Sequence, residues 1–555
     1  MTILWKPIGT LDVATAATDL PENSDGKNIS SGALARCKNL RLQANAKATT
    51  RYGSKKIIAT ASAGLISKIV AQSGTLYTLA DTLINEDDTS IKTGLASGEW
   101  DAIQYNQFND TVEQVFATNG VDRVRIDGST VYDWGIAAPS AAPTVAAGAS
   151  TGLTGAYLAK ITYARLVSGV VVSESNPSAA SSSVTLADES MSITWVASAD
   201  SQVTHVRVYR TSTGGSSYDH DQDVAVGTLT VDTTTADSGL GTTVATTHDR
   251  PPKGAVVAGP FYDGVCFLGK SNLLYYCLSK QPEYWPSTQF VEIGSKQFPI
   301  KAIVDFGGQA YALTEKQLWF IQGTGVNTIH PIPLKSMTGT VSKNGAVGIE
   351  GHGIFHVGLD GIYLYASAKD RKITEAAFDP IFQGTTTNGI TGVSEIATSW
   401  LHQFGNQLYF HYGAGNVLVF NLDTGKTVYH AYDQQLYAPC TDVKQRRFVA
   451  ADASRFVRQI EDPGSTTDDG TAIAWESESK EFTLQTRAHF PRFVKWDVDG
   501  TAAGALLLDG VSHQTHALTV SRSTARRLVK TGNGNRCSFR LTGTGTVTIY
   551  AAEME

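Results

Sequence analysis

The sequence predicts an all-β protein built around a β-propeller. Ser, Thr, Val, Tyr and Gly are frequent, Met is rare at 4 residues, and long apolar runs at helical spacing are missing. Short alternating strands follow turn signals along the chain, such as Gly74 before residues 76–79 and Gly405 before residues 408–412. The best helix candidate is the short stretch 374–382. Composition and alternation therefore both indicate strands.

One strand pattern recurs, in which an apolar strand leads through a Gly, Asp or Asn turn to a strand containing Tyr. Its copies start near Ile66, Trp100, Val256, Ile300, Gly353, Ala397 and Val443. Most consecutive starts lie near the length of a four-stranded propeller blade, but one gap reaches 156 residues. The spacing predicts a propeller of about six to eight blades. A run of unrelated hairpins packed as sandwiches is the alternative.

The long gap predicts an inserted domain at 139–250. A linker of small residues and prolines opens it, four short strands at sandwich spacing follow, and Pro251 and Pro252 close it. Its length suits a fibronectin type III-like or immunoglobulin-like β-sandwich, and without a Cys…Trp…Cys pattern the first is closer. The N-terminal segment and first blades then occupy 1–138, and the remaining blades occupy 251–470. A small β-sandwich is expected at 471–555.

The charge balance argues against a protein that wraps around nucleic acid. Lys and Arg number 45 against 52 Asp and Glu, which gives a net charge of −7. Phosphate neutralisation requires a basic face. The basic residues are scattered, except for two groups that we interpret as basic loops: Lys444, Arg446 and Arg447, and more loosely Arg522, Arg526 and Arg527.

The cysteines and the apolar runs indicate where the protein is made. The five cysteines are far apart except for two that are eleven residues apart, and no CxxC spacing suggests a zinc site or disulfide framework. The start of the chain lacks the apolar run of a signal peptide, and no stretch has the length of a membrane helix. We expect synthesis in a reducing cytoplasm and no membrane insertion.

Sequence patterns of known catalytic sites are rare and lie in unsuitable contexts. Residues 148–152 match the G-x-S-x-G pattern, but Ser150 lies in a small-residue run before a predicted strand, whereas a nucleophile elbow needs a following helix. Acidic residues are mostly in turns, where local hydrogen bonding explains them. The repeated Asp motif of sialidase blades is missing. The sequence predicts no catalytic residues.

The candidate metal ligands also lack the spacing that a metal site requires. Asp219, Asp221 and Asp223 alternate as in a calcium loop, but the glycine and glutamate that an EF-hand needs are missing. His352 and His356 fall on a strand pattern, which would separate their rings by about 13 Å. That separation is too long for one metal ion. We therefore expect neither a metal nor a cofactor.

Three segments resemble the tail hub, nozzle and tail stabilisation proteins of short-tailed bacteriophages. The first has ARCKNLRL at 35–42 and TRYG at 50–53. The second has VFATNGVD at 115–122, followed by Asp127 and Gly128. The third has PPKG at 251–254, FYDGVCFLG at 261–269, LYYCLS at 274–279 and then Tyr284 and Trp285. Together they cover under a third of the chain.

The resemblance implies a structural virion protein. It would form a hexameric ring below the portal and adaptor, anchor tail fibre or needle proteins, and let genomic double-stranded DNA pass through its lumen. A slightly acidic wall suits such a conduit because it does not hold phosphates. The basic residues Lys444, Arg446 and Arg447 are then expected at contacts between subunits.

Two other functions stay open. One is a receptor-binding or carbohydrate-binding tail propeller, which could also cleave glycans. The other is a cytoplasmic propeller scaffold. Fold-level analogy does not separate these functions, whereas an image of the purified particle or ring does.

Overall fold

The structure is a computed structural model, and nearly all its regular elements are strands. It describes residues 2–7, 9–24, 28–43, 47–106, 112–323, 328–484, 493–519, 521–528 and 534–554. Its helices in these ranges are one α-helix, Asp379–Phe382, and three 3-10 helices, Asp237–Gly239, Tyr262–Gly264 and Ile396–Thr398. The predicted all-β class is confirmed.

The chain divides into two compact units. Unit 1 comprises Met1–Ala80, Thr314–Leu318 and Leu334–Glu555. Unit 2 comprises Asp81–Leu313 and Trp319–Pro333. Both units draw on separate stretches of the chain, so each depends on strand pairing between distant residues.

Seven sheets of the propeller-blade type occur in the described part of the chain, and we number them as blades 1 to 7. Blade 1 comprises Ile66–Gln72, Thr75–Ala80, Leu83–Glu86 and Thr89–Lys92. Blade 2 comprises Asp101–Asn106, Glu113–Thr118, Arg123–Asp127 and Thr130–Asp133. Blade 3 comprises Val256–Ala258, Phe267–Lys270, Leu273–Tyr276 and Phe290–Glu292. Blade 4 comprises Ala302–Phe306, Gln309–Leu313, Leu318–Gln322 and His330–Pro333.

The last three blades all belong to unit 1. Blade 5 comprises Ala346–Ile349, Gly353–Val357, Ile362–Ala366 and Lys369–Lys372. Blade 6 comprises Trp400–Phe404, Gln407–Tyr412, Asn416–Asn421 and Thr427–Ala431. Blade 7 comprises Leu436–Asp442, Arg447–Asp452, Val457–Asp462 and the N-terminal strand Gly53–Lys56. The count agrees with the predicted six to eight blades.

Five of the seven predicted starts lie within three residues of a blade's first strand, and two are wrong. Gly353 begins the second strand of blade 5, and Val443 lies in the turn after the first strand of blade 7. Alternation is weak in both first strands. Leu436–Asp442 contains Pro439 and a shift of register, whereas the second strands of both blades are almost wholly buried and directly follow a turn.

Blade 7 is completed by a strand from far away in the sequence. Gly53–Lys56 pairs antiparallel with Val457–Asp462, with Lys56 opposite Arg458. A side chain on Gly53 would overlap the carbonyl oxygen of Thr467, so only glycine fits where the strand begins. The N-terminal segment thereby closes the blade that the end of the propeller sequence leaves with three strands.

The inserted domain is a β-sandwich in unit 2. One sheet has the order Val170–Glu174, Ala159–Val167, His205–Arg210, Asp219–Ala225. The facing strands form a pair, Leu153–Tyr157 with Val184–Glu189, and a three-stranded sheet of Thr144–Ala147, Met191–Thr194 and Thr230–Thr233. Its core includes Tyr157, Ile161, Ile193, Trp195 and Val208. The predicted interruption of the propeller by a sandwich is confirmed.

The C-terminal sandwich is built from both ends of the chain. One sheet contains Asn23–Ser24, Asn28–Ser31, Thr2–Trp5, Val547–Met554, Phe493–Gly500 and Ser521–Arg527, with Leu40–Gln43 and Lys47–Thr50 beside them. The other extends blade 6 through Leu34–Lys38, Ala474–Ser479, Arg536–Thr544, Ala502–Leu508 and Val511–Leu518, with Phe482–Thr483 at its side. The short strands Thr467–Asp468 and Thr471–Ala472 follow blade 7.

Aromatic side chains fill the space between these two sheets. Trp5 is stacked on Phe539 with ring centroids 6.5 Å apart, and Trp496 meets the same ring edge-on at 6.0 Å. Trp5 also donates its indole N–H to the carbonyl oxygen of Ala33 at 3.2 Å. The N-terminal strand is thus part of the core of the C-terminal sandwich.

Candidate functional site

The three basic residues that the sequence singles out lie in the turn between the first two strands of blade 7. Lys444 and Arg446 are exposed there, and Arg447 begins the second strand. Val443 at the tip is 80% exposed, which is rare for a large apolar side chain in this protein. Arg446 has a left-handed backbone conformation with φ 52°, which reverses the chain.

The three basic side chains of this turn differ in whether they already bind a partner within the protein. Lys444 donates from Nζ to the carbonyl oxygen of Ser73. Arg447 donates from Nε to the buried carboxylate of Asp442 at 2.9 Å. Arg446 makes no ion pair with any residue that the structure describes. The turn therefore presents one unpaired guanidinium beside an exposed valine, while its other charges hold the turn in place.

A buried ion cluster joins the inserted sandwich to blades 2 and 3. Its centre is Glu283, whose side chain is fully enclosed. Arg125 of blade 2 places Nε 3.4 Å from one carboxylate oxygen, and Arg165 of the sandwich places Nη2 3.2 Å from the same oxygen. Ser173 of the sandwich donates its hydroxyl to the other oxygen. Residues from two sheets thus meet a carboxylate that lies in the loop between the third and fourth strands of blade 3.

Further hydrogen bonds extend this cluster along blade 2. Arg125 donates from Nη2 to the amide oxygen of Gln202 at 3.2 Å, and Gln202 donates to the carbonyl oxygen of Asp133 at 3.1 Å. Arg125 also pairs with Asp127 at 3.2 Å and lies over the ring of Tyr132 at 4.6 Å. Sandwich and blade therefore share both charged and neutral polar contacts.

The electrostatics of this cluster suit a rigid joint. Burial lowers the pKa of Arg125, and the neighbouring Glu283 carboxylate opposes that shift. Removing one partner of such a cluster leaves an uncompensated charge in a medium of low dielectric. The arrangement in which all three charged groups meet is therefore favoured over any arrangement that separates them. The cluster fixes the inserted sandwich against its neighbouring blades.

A cavity of about 590 Å³ lies beside the joint, also in unit 2. Lys92, Tyr132, Asp133, Tyr163 and Asp200 are among its lining residues. The Tyr163 hydroxyl donates to the carbonyl oxygen of Val196 at 2.7 Å, and burial raises the pKa of that hydroxyl. The Asp133 and Asp200 carboxylates are already engaged by Arg250 and Gln202.

The G-x-S-x-G match lies in a loop of the inserted sandwich. Ser150 falls between the strands Thr144–Ala147 and Leu153–Tyr157, with neither a preceding elbow nor a following helix. Its backbone N–H donates to the hydroxyl of Ser190 at 3.3 Å, and its carbonyl accepts from the Ser190 N–H. The serine belongs to a turn that ties two strands together.

The other candidate residues take structural positions. Asp219 and Asp223 lie on one edge strand of the inserted sandwich, where Asp223 pairs with Arg207 at 2.8 Å and with His220 at 2.8 Å. His356 is buried between the carbonyl oxygen of Gly339 and the carboxylate of Asp370.

The ranges described above lack both a cluster of metal-binding side chains and a membrane-spanning helix. Those residues contain no group of three or more His, Cys, Asp or Glu side chains that could hold a metal ion. None of the helices in these ranges combines the length and the apolar character that a bilayer crossing requires.

The joint at Glu283 was not predicted from the sequence. The strand RVRID at 123–127 did not reveal it, because alternation puts Arg125 on the face opposite Val124 and Ile126 and so predicts an exposed side chain, whereas Arg125 is buried. A buried arginine requires a buried partner. The sequence does not indicate which carboxylate supplies it, since Glu283 lies 158 residues further along the chain.

The comparisons with known proteins add little. No protein-family model matches the chain, and no curated protein matches it. Solved structures that match include BamB from Moraxella catarrhalis, with 12% identity, a TM-score of 0.31 and coverage of 75% of this chain and 98% of that one. The computationally designed Ika8 protein matches at 10% identity and a TM-score of 0.25, with coverage of 73% and 99%. BBS1N in complex with ARL6DN matches at 11%, with a TM-score of 0.27 and coverage of 66% and 92%. At such TM-scores these likenesses carry no argument, and the fold rests on the strand pairing itself.

Proposed function

We propose that this chain is a structural protein of a bacteriophage tail. It forms a hexameric hub or nozzle ring that extends the DNA channel below the portal and adaptor and anchors tail fibres or a needle. Its place is the virion tail, after synthesis in the host cytoplasm. The resemblance of the three segments to such proteins supports this proposal, as does a propeller interrupted by a sandwich.

The buried joint at Glu283 is the observation that carries the ring. A closed ring needs two different patches on each subunit, held at a constant offset so that head-to-tail contacts close after a fixed rotation. The ion cluster of Glu283, Arg125 and Arg165 supplies that constant offset between the inserted sandwich and blades 2 and 3. A sandwich on a loose linker would not define a rotation.

Imaging of the purified full-length protein tests the ring. We expect six-fold rings with an axial channel by negative-stain electron microscopy, and a particle mass of six chains by mass photometry. A protein that stays monomeric or trimeric, both alone and in particles, contradicts the proposal. The same image separates it from a trimeric glycan-binding tail protein and from a monomeric scaffold.

The turn in blade 7 allows a sharper test of the subunit contact. Arg446→Glu reverses the unpaired charge and should shift rings toward monomers while leaving the circular dichroism spectrum unchanged. Arg447→Glu is a poor test because it sets a carboxylate against the buried Asp442. Lys296→Glu is the matched control, since Lys296 is also exposed. Rings that withstand Arg446→Glu as well as they withstand the control remove this turn from the interface.

A conduit must let DNA pass without holding it. With a net charge of −7, the protein should not retain double-stranded DNA in a filter-binding assay at 50 mM salt. A binder that uses several phosphate contacts would lose affinity by about 10³-fold or more between 50 and 200 mM salt. Such a salt dependence would contradict the conduit.

A further inference from the structure

Two cysteines face each other across adjacent strands of blade 3. The second and third strands pair with Phe267 opposite Tyr276, so the next pair outwards is Cys266 and Cys277. Cys277 donates its backbone N–H to the carbonyl oxygen of Cys266 at 3.1 Å. Cys266 donates its backbone N–H to the sulfur of Cys277 at 3.1 Å. The sulfur of one residue thus lies against the backbone of the other.

The geometry of this pair suits a covalent bond. Directly opposite residues of an antiparallel pair point to the same face, and in a hydrogen-bonded pair such as this one their Cα atoms lie about 5.5 Å apart, within the roughly 4.4–6.8 Å that a disulfide spans. Cys266 and Cys277 belong to the same buried core as Trp285. Gly259 leaves space at this point, because a Cβ there would lie 3.0 Å from the Cys266 sulfur.

The other three cysteines lack such a partner. Cys37 pairs across the sheet with Ser477, Cys440 with Val449, and Cys537 with Phe482. These cysteines are all reduced and, like the facing pair, mostly buried. They serve as internal references, because burial is common to nearly all five whereas a facing thiol is not.

We propose that Cys266 and Cys277 form a cross-strand disulfide when the folded protein meets a peroxide. The thiolate of one cysteine attacks the O–O bond of hydrogen peroxide, which gives a sulfenic acid and a hydroxide that takes up a proton. The second sulfur attacks the sulfenic sulfur and expels water as the S–S bond forms. Two thiols lose two electrons in total, and one peroxide becomes two water molecules.

The burial of the two thiols determines the rate of this oxidation. Desolvation, followed by a hydrogen bond to Cys277, raises the pKa of the Cys266 thiol, so the reactive thiolate is scarce. Oxidation is therefore slow in the folded state, and the product is shielded from reducing thiols by the same burial. The bond holds together the hairpin of blade 3. In a tail protein it would form after release from the reducing host, but the chemistry does not depend on that function.

Peptide mapping of the full-length protein tests the proposal. The reduced protein is treated with hydrogen peroxide, then denatured in iodoacetamide and digested with trypsin without reductant. Cleavage after Lys253, Lys270 and Lys280 puts the two cysteines on separate peptides, 254–270 and 271–280. We expect these peptides to be recovered joined, about 2 Da lighter than their sum because two hydrogen atoms are lost. Cys37, Cys440 and Cys537 should be recovered alkylated.

Variants decide whether the bond belongs to the native fold. Cys266→Ser and Cys277→Ser should each abolish the joined peptides, whereas Cys440→Ser should leave their yield unchanged. Absence of the joined peptides from folded wild-type protein overturns the proposal. Their appearance only when urea accompanies the peroxide also overturns it, since the thiols would then meet only after unfolding.

Discussion

Arg51 joins the N-terminal segment to blades 6 and 7, and its removal should destabilise unit 1. The side chain is 2% exposed, and all five guanidinium N–H groups find acceptors. The acceptors are the amide oxygen of Asn39, the carbonyl oxygens of Tyr52 and Ala431, and both carboxylate oxygens of Asp468. We expect Arg51→Met to separate these segments, because methionine preserves much of the volume but none of the hydrogen bonds.

The size of the effect follows from what the substitution leaves behind. Asp468 is 4% exposed and, among the residues that the structure describes, would keep as donors the N–H and hydroxyl of Ser54. An uncompensated charge in such a position costs about 3–5 kcal/mol. Arg51 also lies 4.0 Å over the ring of Tyr432, so the cation–π contact is lost as well. We therefore expect the free energy of unfolding to fall by about 3–5 kcal/mol.

Urea titration followed by tryptophan fluorescence measures this loss. Trypsin cleavage at Lys55 and Lys56 reports whether the strand Gly53–Lys56, which completes blade 7, detaches. Lys495→Met is the control: its ammonium lies 3.9 Å from Glu553 and is 47% exposed, so its pair contributes less than about 1 kcal/mol. A loss below about 1 kcal/mol for Arg51→Met, with trypsin resistance unchanged, would refute the assigned role of Arg51.

Three further outcomes can be measured on the same protein. Burial lowers the pKa of His402 to about 4 and of His411 to about 3, so both stay neutral in the fold while the unfolded chain takes up protons below about pH 6.5. The stability contributed by the neutral histidines should be fully present above pH 6.5, and the free energy of unfolding should fall by about 1.4 kcal/mol per pH unit for each histidine toward pH 4. Urea titrations at several pH values measure this slope, which should be shallower in His402→Gln. Gly53→Ala should expose the strand Gly53–Lys56 to trypsin. Gly405→Ala, at a turn with φ 60° and open space around it, should cost about 1 kcal/mol of backbone strain but leave the trypsin resistance of Gly53–Lys56 unchanged. Glu283→Gln should make the linkers around the inserted sandwich more sensitive to protease while the circular dichroism spectrum stays β-type, and unchanged protease resistance would count against the joint.

The blades could be predicted because their signals are local. Each hairpin combines a turn glycine with a strand that alternates over a few residues, so Ile66 and Val256 were found at the residues where blades begin. The signal weakens where a bulge or proline interrupts alternation, as in the first strand of blade 7. Blade spacing then exposed the insertion without any knowledge of the inserted strands themselves.

The pairing of the chain ends could not be predicted in this way. Thr2–Trp5 pairs with Val547–Met554, and both are ordinary β sequences with nothing to mark them as partners. Pairing between such distant strands depends on the whole fold bringing them together. The same limit applies to Glu283, whose partners come from two other sheets.

The buried arginines change how the charge of the chain should be interpreted. Arg51, Arg125, Arg210 and Arg458 are each at most 2% exposed, and each lies within 4 Å of a carboxylate. A count of basic residues therefore overstates the positive charge that a partner can reach. These ion pairs cancel in the net charge, but they remove their guanidinium groups from the surface that a partner can contact. Arg446, exposed and unpaired within the described residues, is an exception to that pattern, which is why it is the residue to reverse when testing for a subunit contact.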